Sequence, residues 1–215
     1  MLSILISSTF NDMQAERDII HQKVVPRLRR VAAGFGESVR LLDLRWGVNT
    51  ESMSEETAAQ KVLDVCLDEI DRCDGYMVCL LGQRYGWIPD YSKVTSVKNH
   101  HIRMESPISV TELEIQYGIL QRNQGEKAII FFRDEIRNLP DSLKQLYCDS
   151  ASDRRLPRLK AQLEALPGCT CRHYSLSWRT DGEFDGLDEF AERLLASLTA
   201  LLENIYGQAK PQSAF

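Results

Sequence analysis

The sequence predicts a three-layer α/β/α domain in which helices cover both faces of a doubly wound, five-stranded parallel sheet. Short apolar segments alternate with amphipathic ones, which is typical of strands joined by right-handed helical crossovers. The apolar segments lack strict polar–apolar alternation, which indicates burial on both faces. The 215 residues suffice for one such domain, which we predict over residues 1–206 with a flexible tail over residues 207–215.

The strand predictions follow from short apolar runs that end at turn or charged residues. The third run is the clearest, because Gly-Tyr-Met-Val-Cys-Leu-Leu is almost wholly apolar. In the first run, the Ser7-Ser8-Thr9 sequence is expected to end the strand. The predicted strands cover residues 2–6, 38–43, 75–81, 128–132 and 170–174.

Amphipathic segments between these runs predict helices. Pro26 lies inside the first helix and should kink or break it, because proline lacks an amide hydrogen. Ser109 and Glu112 fit a capping box at the start of another helix, which follows a long polar loop over residues 82–108. The predicted helices cover about residues 12–33, 54–73, 109–123, 141–147, 153–166 and 186–205.

Composition excludes several classes of protein. Apolar residues make up 43% of the chain, charged residues make up 27%, and the net charge is −5. This charge argues against a broad nucleic-acid or anionic-membrane surface. No apolar run reaches the roughly 18 residues that span a bilayer, and Leu2–Ile6 is too short for a signal peptide. We expect a cytoplasmic protein without a nucleic-acid or membrane partner, whose six cysteines are thiols.

The expected ligand site is the carboxyl edge of the sheet, where doubly wound folds bind ligands. Glu114 lies on the second turn of the helix that begins near Ser109, beside the apolar face that should contact the sheet. Its carboxylate is expected to face the crevice, with Gly118 leaving open space one turn further on. Two alternatives stay open: Glu114 is a solvated helix residue, or Glu112 faces the pocket in its place.

Hydroxyl and aromatic residues follow the first three predicted strands. Ser8, Thr9 and the neighbouring backbone amides suit an anionic group such as a phosphate, although plain helix capping would use the same residues. Two later segments combine arginine, glycine and an aromatic ring, which can pair a phosphate and stack a base. In the alternative, the tryptophans plug the sheet edge and the arginines pair with acids such as Glu16 or Asp43. The two segments are Arg45-Trp46-Gly47 and Gly82-Gln83-Arg84-Tyr85-Gly86-Trp87.

Signals for metal binding are weak. Cys169, Cys171 and His173 would share one face of a strand, but a spacing of two residues is unusual for structural zinc. The chain also lacks a P-loop, a Gly-x-Gly-x-x-Gly fingerprint and a Gly-x-Ser-x-Gly elbow. We therefore expect no metal and no resident cofactor.

Taken in order, these motifs resemble a known family. The segments over residues 4–18, 43–48, 81–87 and 109–114 are similar to the TIR-related domain of unknown function that precedes NACHT ATPase modules in proteins of the telomerase-associated, nephrocystin and NACHT–WD-repeat type. The likeness runs from residue 2 to about residue 135. It implies a flavodoxin-like, TIR-like fold and an effector or signalling domain that is fused to, or acts with, a NACHT-type ATPase.

The resemblance also implies a chemistry. TIR NAD hydrolases and nucleoside deoxyribosyltransferases carry a glutamate on the corresponding helix, where it meets the anomeric carbon of a ribose. Carried over, Glu114 becomes the catalytic candidate, and NAD or a related nucleotide becomes the substrate. The binding candidates are Ser8, Thr9, Phe10, Arg45, Trp46, Gly82, Arg84, Tyr85 and Trp87.

Three functional hypotheses follow. The domain is an enzyme that breaks an N-glycosidic bond, a non-catalytic module that self-associates during assembly, or a sensor that binds a nucleotide without turnover. Self-association is also implied for the enzyme, because isolated TIR domains often form their site across protomers. Replacing Glu114 by glutamine separates the hypotheses.

Overall fold

The computed structural model describes residues 1–44, 55–91, 107–149 and 153–207, with the backbone alone over residues 55–59. Its centre is a five-stranded sheet with the order β2-β1-β3-β4-β5, in which every neighbouring pair is parallel. This is the strand order of flavodoxin-like folds, so the predicted fold class is confirmed. The strands are β1 (Leu2–Ser8), β2 (Val39–Asp43), β3 (Met77–Leu81), β4 (Ala128–Arg133) and β5 (Thr170–Tyr174).

Helices cover both faces of the sheet. On one face, α1 (Gln14–Ile19), a π-helical turn (Ile20–Val24) and α2 (Val25–Gly34) pack with α7 (Leu187–Tyr206). The helices α3 (Glu55–Arg72), α4 (Val110–Ile115) and α6 (Arg155–Ala165) lie on the other face, and α5 (Asp141–Tyr147) follows β4.

The strand β1 shows how the sheet separates two apolar cores. Ile4 and Ile6 lie in the core under α1, α2 and α7, whereas Leu5 between them lies in the core under α3, α4 and α6. Every residue of β3 and β4 is buried, because these strands are covered on both faces. Burying one such aliphatic side chain contributes about 1.5–3 kcal/mol, which explains the continuous apolar runs in the sequence.

Two helical segments widen into π-helical turns, and only the first of these lies near a predicted kink or break. The first turn lies directly before Pro26, so the chain passes the predicted break without ending the helix. The second turn, Gln116–Leu120, contains Gly118. The expectation of open space at Gly118 is wrong, because a Cβ there would lie 2.4 Å from the Met77 sulfur and 3.1 Å from Ile70 Cγ2. Glycine instead allows helix and sheet to approach closely.

A short antiparallel hairpin near the C-terminus was not predicted. It consists of β6 (Ser177–Trp178) and β7 (Phe184–Asp185), and the Trp178 and Phe184 rings meet edge to face at 4.9 Å. Residues 208–215, most of the predicted tail, lie outside the described residues. Among the described helices, none is long and apolar enough to cross a membrane.

Candidate functional site

The carboxyl ends of β1 and β3 lie where the strand order reverses. The chain leaves β1 toward β2 on one side, and β3 pairs with β1 on the other side. Ser7 and Ser8 are in register with Cys79 and Leu80 of β3, and α4 packs against β1. Three of the segments singled out from the sequence therefore meet at one edge of the sheet, as the topology requires.

Glu114 is buried at this edge, with 6% of its surface exposed. Its Oε2 accepts a hydrogen bond from Ser7 Oγ at 2.5 Å. Burial raises the pKa of Glu114, while hydrogen bonds from Ser7 and the Cys66 thiol and the charge of Arg17 oppose that rise. The alternative of a solvated surface glutamate is therefore wrong. A carboxyl group with a raised pKa is suited to exchange a proton during a reaction.

Glu112 has different partners from Glu114. Ser109 Oγ accepts from the Glu112 amide at 3.2 Å, as the capping box predicts. The Glu112 carboxylate does not bond back to the Ser109 amide. It accepts from the Tyr85 hydroxyl and, at 3.0 Å, from Arg158 Nη2, while the Ser109 amide donates to the Tyr85 oxygen at 3.3 Å. The Tyr85 hydroxyl is thus inserted into the capping box, which gives Glu112 a role in holding the fold.

A cavity of about 300 Å³ lies between the turn after β1 and the segment after β3. Phe10 and Trp87 border it with 51% and 55% of their surfaces exposed. Gly86 has a φ of +96°, and a Cβ there would lie 2.9 Å from Thr9 Cγ2, so glycine is needed where the two segments approach. The lining residues are Ser8, Thr9, Phe10, Asn11, Asp12, Arg84, Gly86, Trp87 and Thr111.

Two further binding candidates border a different cavity. Gly82 and Tyr85 line a second cavity of about 380 Å³, which also includes residues that follow β4. A Cβ at Gly82 would lie 2.6 Å from Arg133 Nη2, so this glycine provides room for a buried arginine. Arg45 and Trp46 lie outside the described residues.

Arg84 lines the first cavity but already has protein partners. Its Nη1 donates to the carbonyl oxygen of Leu146 at 3.1 Å and to that of Gln145 at 3.4 Å, near the end of α5. Its Nε lies 3.4 Å from Asp149 Oδ1, and 28% of the side chain is exposed. Arg84 therefore attaches the segment after β3 to the end of α5.

A buried arginine that the sequence analysis missed connects the ends of β1 and β2. Arg17 Nε donates to Ser8 Oγ at 2.8 Å, and Nη2 donates to the Ser8 carbonyl oxygen at 3.1 Å. Its Nη1 binds the Asp43 carboxylate, which also contacts His21 Nε2 at 3.1 Å. Arg17 fixes the end of β1 directly beside Ser7 and Glu114.

A second buried arginine joins β4 to the start of α1. Arg133 Nη1 donates to Glu16 Oε1 at 2.8 Å, Nη2 donates to Asp12 Oδ2 at 2.9 Å, and the Tyr174 hydroxyl donates to Glu16 Oε1 at 2.8 Å. Burial raises the pKa of Asp12, although the charge of Arg133 opposes this. The sequence held one signal for both clusters: Glu16 and Arg17 lie at helical spacing between apolar Met13 and Ile20.

The cysteine and histidine residues of the predicted fifth strand do not assemble into a metal site. His173 Nδ1 lies 3.0 Å from Asp134 Oδ1, and the sulfurs of Cys169 and Cys171 are 3.9 Å apart. Within the described part of the chain, no group of three or more histidine, cysteine or acidic residues could hold a metal ion.

Fold and site together define a flavodoxin-like α/β domain with a buried glutamate and a small cavity at the switch point of its sheet. The chain belongs to the family described as a domain of unknown function, DUF4062, whose model matches residues 3–175. This match includes every candidate site residue. It also extends past residue 135, where the sequence resemblance ended, to include β5.

The chain is similar to segments of much longer proteins. Telomerase protein component 1 of Rattus norvegicus is 32% identical over 225 residues, which cover 98% of this chain and 8% of that protein. The Mus musculus protein of the same name is 32% identical over 224 residues, with the same shares of each chain covered. Putative tetratricopeptide repeat protein 41 of Homo sapiens is 30% identical over 209 residues, which cover 79% of this chain and 16% of that protein.

Proposed function

We propose that this chain is the TIR-like effector domain of a NACHT-type protein, and that it cleaves the N-glycosidic bond of NAD or a related nucleotide with Glu114. Family membership supports its role as one part of a larger protein, because the chain spans only 8% of telomerase protein component 1. The cytoplasm and a NACHT-type ATPase are its proposed setting and partner.

The observation that carries the catalytic part is the buried Ser7–Glu114 pair. A carboxyl group taken out of water is costly unless its partners compensate it, so buried acids with raised pKa values are frequent at functional sites. In the proposed reaction the bond between the ribose C1′ and the base nitrogen breaks, and the base leaves with the bonding electrons. The Glu114 carboxylate stabilises or traps the oxocarbenium-like carbon, and water then adds to C1′.

The cavity beside β1 supplies the proposed binding groups. The exposed faces of Phe10 and Trp87 would stack on the base. The hydroxyls of Ser8 and Thr9 would bind the ribose, and Arg84 would bind a phosphate while it caps α5. The set is completed by Arg45 and Trp46, which follow β2 in the sequence, and by Gly82 and Tyr85, which border the second cavity.

The test is incubation of the purified protein with NAD and a panel of nucleotides, with chromatography to detect released base. Wild type, Glu114→Gln and Glu112→Gln are compared at high and low protein concentration, since the site is proposed to gain activity on self-association. We expect base release by the wild type and by folded Glu112→Gln, and none by Glu114→Gln. Activity that survives in Glu114→Gln would refute the catalytic assignment.

The exposed aromatic residues favour a second candidate function, a non-catalytic assembly module. Phe10 and Trp87 border the same cavity and are both exposed, and exposed apolar side chains that lie close together are a feature of protein-interaction surfaces. This function predicts that Trp87→Ser weakens self-association in sedimentation experiments and that Glu114→Gln leaves it unchanged. Nucleotide binding without base release would instead identify a sensor.

A further inference from the structure

The start of β5 carries a pair of cysteines that the proposed function does not use. Cys169 and Cys171 flank Thr170, and their sulfurs lie 3.9 Å apart. Both thiols are half-buried and free, as is Cys148, whereas Cys66, Cys73 and Cys79 are buried. The pair therefore combines two features that reactive thiols need, partial access and a second sulfur within reach.

The backbone geometry allows the two sulfurs to bond. Residues two apart on a parallel strand are separated by about 6.6 Å at their Cα atoms, from a rise of about 3.3 Å per residue. Disulfides accept Cα separations of about 4.4–6.8 Å, with the sulfurs about 2.05 Å apart. Cys169 directly precedes β5 and Cys171 is its second residue, and β5 is an edge strand that pairs with β4 on one side only.

Cys171 is the less buried of the two thiols, so we assign it as the attacking thiol. A hydrogen bond from the Cys169 thiol lowers the pKa of Cys171, although burial and the charge of Glu164 oppose this. By contrast, burial raises the pKa of Cys148. The thiolate is the nucleophilic form of cysteine, so Cys171 should react before Cys148.

We propose that Cys169 and Cys171 form a redox-active dithiol, which hydrogen peroxide oxidises to an intramolecular disulfide. The Cys171 thiolate attacks one peroxide oxygen, which breaks the O–O bond and gives a sulfenic acid and hydroxide. The Cys169 sulfur then attacks the sulfenic sulfur, the S–S bond forms, and the sulfenic oxygen leaves with the thiol proton as water. Two thiols and one peroxide thereby give one disulfide and two waters.

The chain offers a direct readout by mass spectrometry. Trypsin cleaves after Lys160 and Arg172, which releases residues 161–172 with both cysteines of the pair and no other. The native protein is treated with one equivalent of peroxide, denatured, alkylated with iodoacetamide and digested. We expect this peptide to be lighter by two hydrogen atoms and unalkylated, while the peptide with Cys148 stays alkylated. Dithiothreitol should restore two alkylated cysteines in residues 161–172.

Serine variants separate the roles of the two sulfurs. Cys171→Ser should lose disulfide formation entirely, whereas Cys169→Ser should stop at a Cys171 sulfenic acid that dimedone traps. Cys148→Ser is the matched control and should form the disulfide at the wild-type rate. The proposal is overturned if wild-type peptide 161–172 carries two separate oxidised sulfurs, if it stays fully alkylated, or if Cys148 reacts first. The wild-type experiment decides this even if a variant fails to fold.

Discussion

Glu112 and Glu114 lie two residues apart on α4, and both are buried, but their environments differ in kind. Glu112 is held by a phenol and a guanidinium, so it has both a hydrogen bond and an opposite charge. Glu114 is held by the hydroxyl of Ser7 and the thiol of Cys66, both neutral, and the nearby Arg17 is directed at Ser8 and Asp43. The first arrangement pairs the buried carboxylate with an opposite charge, whereas the second gives the carboxyl group neutral hydrogen-bond partners, so its charged form is less well compensated.

The largest effect on stability is expected from Glu112→Ala. The change leaves the buried Tyr85 hydroxyl without its acceptor and removes the partner of Arg158. We expect the free energy of unfolding in urea to fall by about 2–3 kcal/mol, the cost of an unsatisfied buried group. The matched variant Glu126→Ala, on the short 3₁₀ turn (Gly125–Lys127) before β4, should change stability by less than about 0.5 kcal/mol. Equal losses in the two variants would remove the structural role assigned to Glu112.

Glu114→Gln should raise the free energy of unfolding, the opposite of the effect expected for Glu112→Ala. The folded pKa of Glu114 lies above its ordinary value of 4.5, so the folded state binds more protons than the unfolded state in the range between them. Wild-type stability should therefore fall as the pH rises from about 4.5 through the folded pKa. The glutamine variant avoids this loss and should be the more stable protein above the folded pKa, by about 1.4 kcal/mol for each unit by which folding raises that pKa.

The check is urea unfolding of both proteins at several pH values between 4 and 8. The advantage of Glu114→Gln should shrink toward low pH, where the wild-type carboxyl group is also neutral. An advantage that does not depend on pH would show that Glu114 gains a proton no more readily in the folded state than in the unfolded state.

Ser7→Ala removes one hydrogen bond from the Glu114 carboxylate. We expect a loss of about 1 kcal/mol, the typical net value of such a bond. Because the Ser7 bond lowers the pKa of Glu114, its removal should also move the fall in stability to higher pH. Ser7→Thr keeps the hydroxyl and serves as the control, which should retain the wild-type pH profile.

The smallest effect is expected at Arg158, the exposed partner of Glu112. Its side chain is 54% exposed, so water and salt screen the ion pair. Arg158→Gln should reduce stability by about 0.2–1 kcal/mol at low salt and by less at high salt. If the loss equals that of Glu112→Ala at all salt concentrations, the charge and not the Tyr85 hydrogen bond holds Glu112.

Local sequence signals were sufficient for the sheet but not for its polar contacts. Apolar runs located all five strands of the sheet, yet β1 continues through Ser8 because its two terminal serines have buried hydrogen-bond partners. Serine after an apolar run looks like a strand end when these partners are unknown. The hydrogen bond in which Ser109 caps the Glu112 amide is local, and the sequence predicted it. The hydrogen bond from Tyr85 to Glu112 spans 27 positions, and the sequence did not predict it.

Contacts between residues far apart in the sequence also limited how much of the candidate site could be predicted. Glu114 and Ser7 are 107 positions apart, and Arg133 and Asp12 are 121 positions apart, so no spacing rule connects them. The helix phase that placed Glu114 toward the sheet followed from the apolar face of α4. Glu112 and Glu114 are both buried and neither lines the cavity beside β1, so the choice of Glu114 stays a prediction. Gly118 was predicted to leave open space, because the sequence does not show whether a neighbouring side chain, here Met77, occupies the volume beside a glycine.

The helix α7 completes the core although it begins after residue 175, where the family match ends. Leu194 and Leu198 lie in the same core as Ile4 of β1, which is nearly two hundred positions earlier. At about 5–20 residues per second, synthesis of the intervening chain takes roughly 10–40 s. During that time the part of this core that α7 covers lacks its cover, and chaperones that bind exposed apolar surface would have their longest opportunity to bind the nascent domain there.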